Sequence, residues 1–424
     1  MHTGREVLMV NQTWMGKARL AQLVDKHGPA FFILEEHVFR KNLRDLRAAF
    51  ECEYATPIIG YSLKTNYTPR ICKLALEEGA KAEVVSEMEY DLALRAGFPP
   101  EKIIFNGPLK PKQALYRALS QGATVHIDSP HEIDLIEKYL SEKNAHPVEC
   151  SVRCNFPISG QKNTRFGIST ESSDIDDAFA RLSRLHGCTP VGVHCHFSTS
   201  DRSLNSYAER VQKVIDIAQR VFSHDHPCRY IDIGGGFFGR MPQALLDQFP
   251  HKIPSYAEYA AVVGERMRAA FPCRDVTLVI EPGTMVVADT MKFICAVDNI
   301  KKVGAKHYVT VYGSVHNIKP SGRSRILPSM TVVHMGEEEP VDLHDADICG
   351  YTCIEDDILA TDFSGAIAPG DLLIFDNVGA YSTMYKPPFI RAQPAILGWD
   401  GTQISLVKRQ EHSSDIFATY VFDN

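Results

Sequence analysis

One lysine marks a place where chemistry could begin. The apolar run from Thr56 to Tyr61 ends in Ser62-Leu63-Lys64-Thr65-Asn66, and Pro69 follows. This reads as a buried strand carrying an ammonium to its C-terminal end, where a helix starts. Burial would lower the Lys64 pKa, and a neutral amine is what Schiff-base chemistry with an aldehyde requires. A lysine that merely caps an edge strand would have the same local pattern.

Val279-Ile280-Glu281-Pro282-Gly283 puts a carboxylate at the end of another strand, held by a Pro-Gly turn. A buried carboxylate needs a partner. A pyridine nitrogen in that position would stay protonated and turn its ring into an electron sink. Gly234-Gly235-Gly236 follows Tyr230-Ile231-Asp232-Ile233. Three glycines let backbone N–H groups approach an anion, a phosphate above all, and equally suit a tight turn that needs positive φ. Val193-His194-Cys195-His196 ends a further strand, with both imidazoles on one side by alternation. A His-x-His pair can bind metal, but no matching carboxylate or cysteine set lies nearby in sequence. A barrel-core histidine and an imidazole stacked on a flat cofactor ring are the other uses. Cys349-Gly350-Tyr351-Thr352-Cys353-Ile354-Glu355-Asp356-Asp357 joins thiols to acids, either as unpaired buried cysteine or as a proton donor. Asp376-Asn377-Val378-Gly379-Ala380-Tyr381 offers a hydroxyl just after a strand and a Gly-Ala turn.

Alternating elements would have to position these groups. A helical pattern over 20–28 stops at Gly28-Pro29, residues 31–34 form a short strand, and 36–50 form an amphipathic helix. Strand-like runs at 82–85, 103–105, 124–127, 148–153, 191–196, 230–233 and 277–280 continue the lysine strand, with helical patterns between most of them. Short strands alternating with helices over about 250 residues indicate a parallel (β/α)₈ barrel, and the polar motifs sit just after the strands, where such barrels build sites. From about residue 290 the rhythm becomes mainly β. The expected division is an N-terminal segment 1–30 packing on the β domain, a barrel over 31–290 and a β-rich domain over 291–424. Leu8-Met9-Val10 is expected to cross over to the β domain.

Composition narrows the function classes. A net charge of −7 without a basic stripe argues against nucleic acid as partner. No run reaches membrane-spanning length, the start lacks a signal-peptide core, and eleven scattered cysteines fit reduced thiols, so a cytoplasmic protein is expected.

Six motifs in order, Tyr61-Ser62-Leu63-Lys64-Thr65-Asn66, Val84-Val85-Ser86, His194-Cys195-His196, Gly234-Gly235-Gly236, Glu281-Pro282-Gly283 and Gly379-Ala380-Tyr381, carry a family likeness. From about Leu20 to about Tyr385 the chain resembles the fold-type III PLP-dependent decarboxylases, the diaminopimelate/ornithine/arginine decarboxylase family with its alanine racemase-like fold. The resemblance implies pyridoxal 5'-phosphate as cofactor, Lys64 as the Schiff-base lysine, His196 stacked on the ring and Glu281 on the pyridine nitrogen. It places Gly234, Gly235, Gly236 and Tyr381 around the phosphate, Glu83 as an acid near the cofactor, and Arg153 and Arg165 at family basic positions. Cys353 looks like the cysteine that reprotonates the carbanion across a head-to-tail homodimer interface. The family's Gly-Ser after the stacking histidine is Ser198-Thr199 here, with Thr199 keeping a hydroxyl for the phosphate. The arginine that usually follows Glu-Pro-Gly283 is Thr284, so a cation is missing there.

The substrate side departs further from the family. Lysine- and ornithine-type members read a distal ammonium with an acid directly after the cysteine; here Ile354 takes that place, and Glu355, Asp356 and Asp357 come later. Lys319, Arg323 and Arg325 form a basic cluster that suits carboxylates, or a solvated loop. This pattern looks like the siderophore-biosynthesis branch, which decarboxylates an amino acid already condensed with citrate or a similar acid. Three other readings share the fold. An alanine-racemase-like enzyme would set an arginine against the pyridine nitrogen, where Glu281 stands. A non-catalytic relative would typically have lost cofactor residues. An ordinary diaminopimelate, lysine, ornithine or arginine decarboxylase would rebuild its distal reader from Glu355 or Asp356.

Overall fold

The computed structural model describes residues 14–142, 145–159, 164–197, 202–318, 326–336, 338–385 and 388–422. The chain divides into two compact units: Glu36–Thr290 with Gly379–Met384, and Met1–Glu35 with Met291–Val378 and Tyr385–Asn424.

The first unit is a closed parallel barrel. Its eight strands are Ile58–Ser62, Lys81–Val84, Ile103–Phe105, Thr124–Ile127, Val148–Asn155, Cys188–His194, Tyr230–Asp232 and Thr277–Ile280. Val279 lies opposite Ile58, so the last strand pairs with the first and leaves no open edge. Runs such as Thr277–Ile280 are apolar without alternation because helices cover one face and the barrel interior fills the other. The covering helices show the matching stripe. Glu36–Glu53 buries Phe39, Leu43, Leu46 and Phe50 at helical spacing. Pro69 occupies the first turn of Pro69–Glu77, where a missing N–H costs nothing, so the helix after the lysine begins where sequence placed it.

Register sets the chemistry. Ser62 lies opposite Glu83, and His194 lies opposite Asp232. Side chains at these strand ends therefore meet at one level of the barrel.

The second unit is built on a nine-stranded sheet. Its strand Ala30–Glu35 runs antiparallel to Met291–Val303 and parallel to Ala395–Trp399. This corrects the expected boundary at residues 30/31: the strand at 31–34 belongs to the sheet, and the barrel unit starts at Glu36. Five of its six residues are buried, the same apolar signature a barrel strand carries, so sequence could not assign it. The segment Gly379–Met384, expected in the β domain, belongs to the barrel unit. Trp14, Leu20, Leu23, Phe31, Ile294, Ile374, Leu397 and Trp399 share one core in the sheet unit. The Trp14 indole donates to Glu35 Oε1 at 3.2 Å. The expected crossover of Leu8-Met9-Val10 lies outside the described residues.

Candidate active site

The strand Ile58–Ser62 runs straight into one 3₁₀ turn, Leu63–Thr65, which aims Lys64 into the barrel mouth. Lys64 Nζ donates to Glu83 Oε2 and to Ser62 Oγ, each at 2.6 Å. Ser62 Oγ also donates to Glu83 Oε2. Burial alone would pull the ammonium down, but the carboxylates of Glu83 and Glu281 together outweigh it and hold the pKa above its ordinary value. The expected lowered pKa is thus corrected: the lysine is charged here, with a proton acceptor 2.6 Å away.

Glu281 follows the strand Thr277–Ile280, and its backbone N–H donates to Gly234 O at 2.9 Å. Its carboxylate is 1 % exposed. Asn106 Nδ2 donates to Oε1 at 2.5 Å, and His194 Nε2 donates to Oε2 at 3.3 Å. Burial pushes Glu281 up, yet His194, His196 and His126 overcome it and keep the group ionised, well below the usual range. Asp232 behaves oppositely: burial, then the nearby Glu281 charge, drive it well up, so it keeps its proton. His126, His194, Asp232 and Glu281 bring ligand-type atoms within 4.8 Å of one another. The expectation of no carboxylate near the His-x-His pair is therefore corrected, because Asp232 arrives from the adjacent strand and Glu281 from the end of the strand beyond it.

His196 Nδ1 accepts from the Gly235 N–H at 3.1 Å and lies 3.7 Å from Glu281 Oε2. Burial, opposed by Glu281, lowers its pKa to about 4, so the ring is neutral. At the triple glycine, Gly234 and Gly236 have φ of +66° and +92°. A Cβ on Gly234 would come within 2.9 Å of His196 Cα. The Gly234 N–H donates to Asp232 Oδ1 at 2.8 Å. Two of the three N–H groups are thus engaged within the protein, and the turn requirement read as an alternative from sequence is present.

Arg153 Nη1 donates to Asp128 Oδ1 at 3.2 Å, and its guanidinium lies 4.9 Å over the Phe166 ring. Arg165 stands 4.2 Å over the same ring. Gly283 is pressed against Thr65, leaving no room for a side chain, and Thr284 begins the short helix Thr284–Val287. The Tyr381 N–H donates to Thr65 O at 2.8 Å, and Asn66 Nδ2 donates to Gly379 O at 2.8 Å, which seats this segment beside the lysine turn. Lys64, Glu83, Asn106, Arg153, His196 and Glu281 line one cavity of about 510 Å³.

Cys353, Glu355 and Asp356 lie on an exposed loop of the sheet unit. The acid run that looks uniform in sequence is split. Asp357 is buried and accepts from Ser314 Oγ (2.9 Å), Val315 N (2.7 Å) and Thr352 N (3.1 Å), which shapes the loop carrying Cys353. Thr199, Lys319, Arg323 and Arg325 lie outside the described residues. Sequence reading missed Asn106, although Asn106-Gly107-Pro108 directly follows the strand Ile103–Phe105, as Glu281 directly follows the strand Thr277–Ile280.

Comparison with known proteins fits this arrangement. Residues 38–288 match the pyridoxal binding domain of the pyridoxal-dependent decarboxylases, and residues 210–379 match their C-terminal sheet domain. The chain belongs to this family. Pyridoxal phosphate is its cofactor, and its reaction is that of a carboxy-lyase acting on an amino acid. It is 25 % identical to a diaminopimelate decarboxylase of Aquifex aeolicus over 409 residues, 93 % of this chain and 92 % of that protein. It is 26 % identical to an L-glutamyl-[BtrI acyl-carrier protein] decarboxylase of Niallia circulans, covering 96 % of each. The crystal structure of the Helicobacter pylori diaminopimelate decarboxylase complexed with L-lysine superposes with a TM-score of 0.81 at 23 % identity, over 94 % of this chain and 98 % of that one. No helix among the described residues is long and apolar enough to cross a membrane.

The residues present fit the cofactor. The cavity offers an amine for its aldehyde, an ionised buried carboxylate for its ring nitrogen, a neutral imidazole for its flat face, and two arginines among its lining groups for its phosphate. The buried Asn106 Oδ1 has no partner within the protein, as expected of a wall that faces a polar guest.

Proposed function

We propose that this decarboxylase removes the α-carboxylate of an amino acid bearing further carboxylates, of the citryl–diamino-acid type, in siderophore biosynthesis. One observation carries the reading. In the sheet unit, Arg391 stands 4.9 Å over the Tyr312 ring and 5.5 Å over Tyr351, in a cavity of about 450 Å³. No carboxylate lies within ion-pair distance of its guanidinium among the described residues. Ile354, 44 % exposed, replaces the acid that would read a distal ammonium. Asp298 interacts with both Tyr312 and Arg391 from beside the ring, and a guanidinium so placed suits a carboxylate-bearing group better than a distal ammonium. The Niallia circulans relative, named for a glutamyl group carried on a protein, supports the idea that conjugated amino acids suit this scaffold. Diaminopimelate also bears a second carboxylate, and the Aquifex aeolicus relative makes it the second reading.

Pyridoxal phosphate, when bound, supplies an aldehyde and a ring able to accept the electron pair left by departing CO₂. The protein's part is proton management. Glu83 takes the Nζ proton of Lys64 across 2.6 Å and frees the amine. Glu281, ionised and fixed through both oxygens, keeps a proton on the ring nitrogen. His196 presents an uncharged face. Cys353, exposed on its loop, returns a proton to the substrate Cα across a homodimer interface.

Release of CO₂ from citryl-diamino-acid conjugates, measured beside diaminopimelate, lysine, ornithine and arginine with Lys64→Ala as the blank, tests the reading. The expected result is kcat/KM at least about tenfold higher for the conjugate, about 1.4 kcal/mol of discrimination. Preference for diaminopimelate would overturn it.

A further inference from the structure

Glu83 and Glu281 are the two carboxylates of the cavity, one paired with the lysine and the other surrounded by imidazoles. They share a single donor. Asn106 Nδ2 reaches Glu83 Oε1 at 3.1 Å and Glu281 Oε1 at 2.5 Å, one hydrogen for each. Asn106 is 3 % exposed and lines the same cavity. Charge fixes its amide orientation, because turning it over would set a carbonyl oxygen against two anions.

The backbone at Asn106 is fixed on both sides. Its N–H donates to Val84 O at 2.8 Å, extending the barrel ladder. The chain then turns away at Gly107, whose φ is +99° and where a Cβ would meet Val85 O at 2.5 Å. The side chain reaches Glu83 on the adjacent strand Lys81–Val84 and Glu281 beyond the strand Thr277–Ile280.

We infer that Asn106 is a positioning residue for the cofactor, bridging Glu83 and Glu281 and holding the two acids at a fixed spacing. Two carboxylates sharing a site without a donor between them capture a proton. Lys64 and Ser62 also serve Glu83, but the lysine's charge is lost whenever its amine reacts. Asn106 then remains a fixed donor that steadies the acid. This role concerns cofactor binding and holds whatever the substrate.

The test reads the cofactor. Asn106→Asp keeps the shape, removes both donors and adds a third acid. The groups facing Glu281 are Lys64, Glu83, His126, His194, His196 and Asp232, with Arg153 beyond His194. All are retained in the variant, and Asn106→Ala, which removes the donors without adding a charge, separates the bridge from the added acid. Pyridoxal phosphate titrated into the apo-protein should bind about tenfold more weakly, and the pH midpoint of its visible absorbance should rise by about one unit. Adding Glu83→Gln to Asn106→Asp restores amide donors from the other side. It should bring the midpoint back toward that of Glu83→Gln alone, a rescue that a packing role would not produce. Should Asn106→Asp fold poorly, Asn106→Ala carries the same titration and should show the affinity loss. Unchanged affinity and midpoint in Asn106→Asp or Asn106→Ala, or no rescue in the double variant, would overturn the inference.

Discussion

His196 is the residue whose protonation the fold governs most directly. An unfolded histidine takes up a proton below about pH 6.5, whereas the folded ring waits until about pH 4. Between these values the unfolded chain binds more protons, so the ring's contribution is complete above pH 6.5 and lost as pH falls to about 4. It amounts to at most about 3 kcal/mol. His126 and His194, also lowered by burial, act in the same direction. The apo-protein should therefore lose Tm on acidification, and His196→Gln should lose less of it between about pH 7 and about pH 4.5; an equally steep fall in the variant would refute this. Lys64, His196 and Glu281 were legible in sequence because a polar group ending an apolar strand is conspicuous. The Lys64 charge was not, since its sign of shift depends on Glu83, a residue 19 positions away that only the barrel register brings alongside.

At the scale of the element, the loop carrying Cys353 depends on one buried acid. Asp357→Ala would strand the Ser314 hydroxyl and the Val315 and Thr352 N–H groups. Urea denaturation should show a loss of about 3 kcal/mol. Decarboxylation should fall about tenfold or more, because Cys353, proposed as the proton donor, loses its place. Binding of pyridoxal phosphate should be unaffected; weakened binding would mean that Asp357 acts on the cofactor site instead. In sequence, Glu355, Asp356 and Asp357 are three equal acids. Burial tells them apart, and burial depends on which strands meet beneath the loop.

At the scale of the molecule, the proposed homodimer makes a sharp demand. If Cys353 serves the partner's cavity, Lys64→Ala and Cys353→Ala chains are each inactive, but mixing them after dissociation should recover about a quarter of wild-type activity through hybrid dimers. No recovery would place lysine and thiol of one chain in the same site. Sequence alone determined the barrel, the β-rich second unit and the strand-end groups, because strand–helix alternation and strand-terminal polarity are local patterns written in consecutive residues. Only the tertiary structure decided that 31–34 belongs to the sheet, that Gly379–Met384 belongs to the barrel unit, and that Asn106 bridges two acids. Those facts rest on pairings between residues far apart in the chain, and a neutral amide acquires a role only from the charges that folding sets around it.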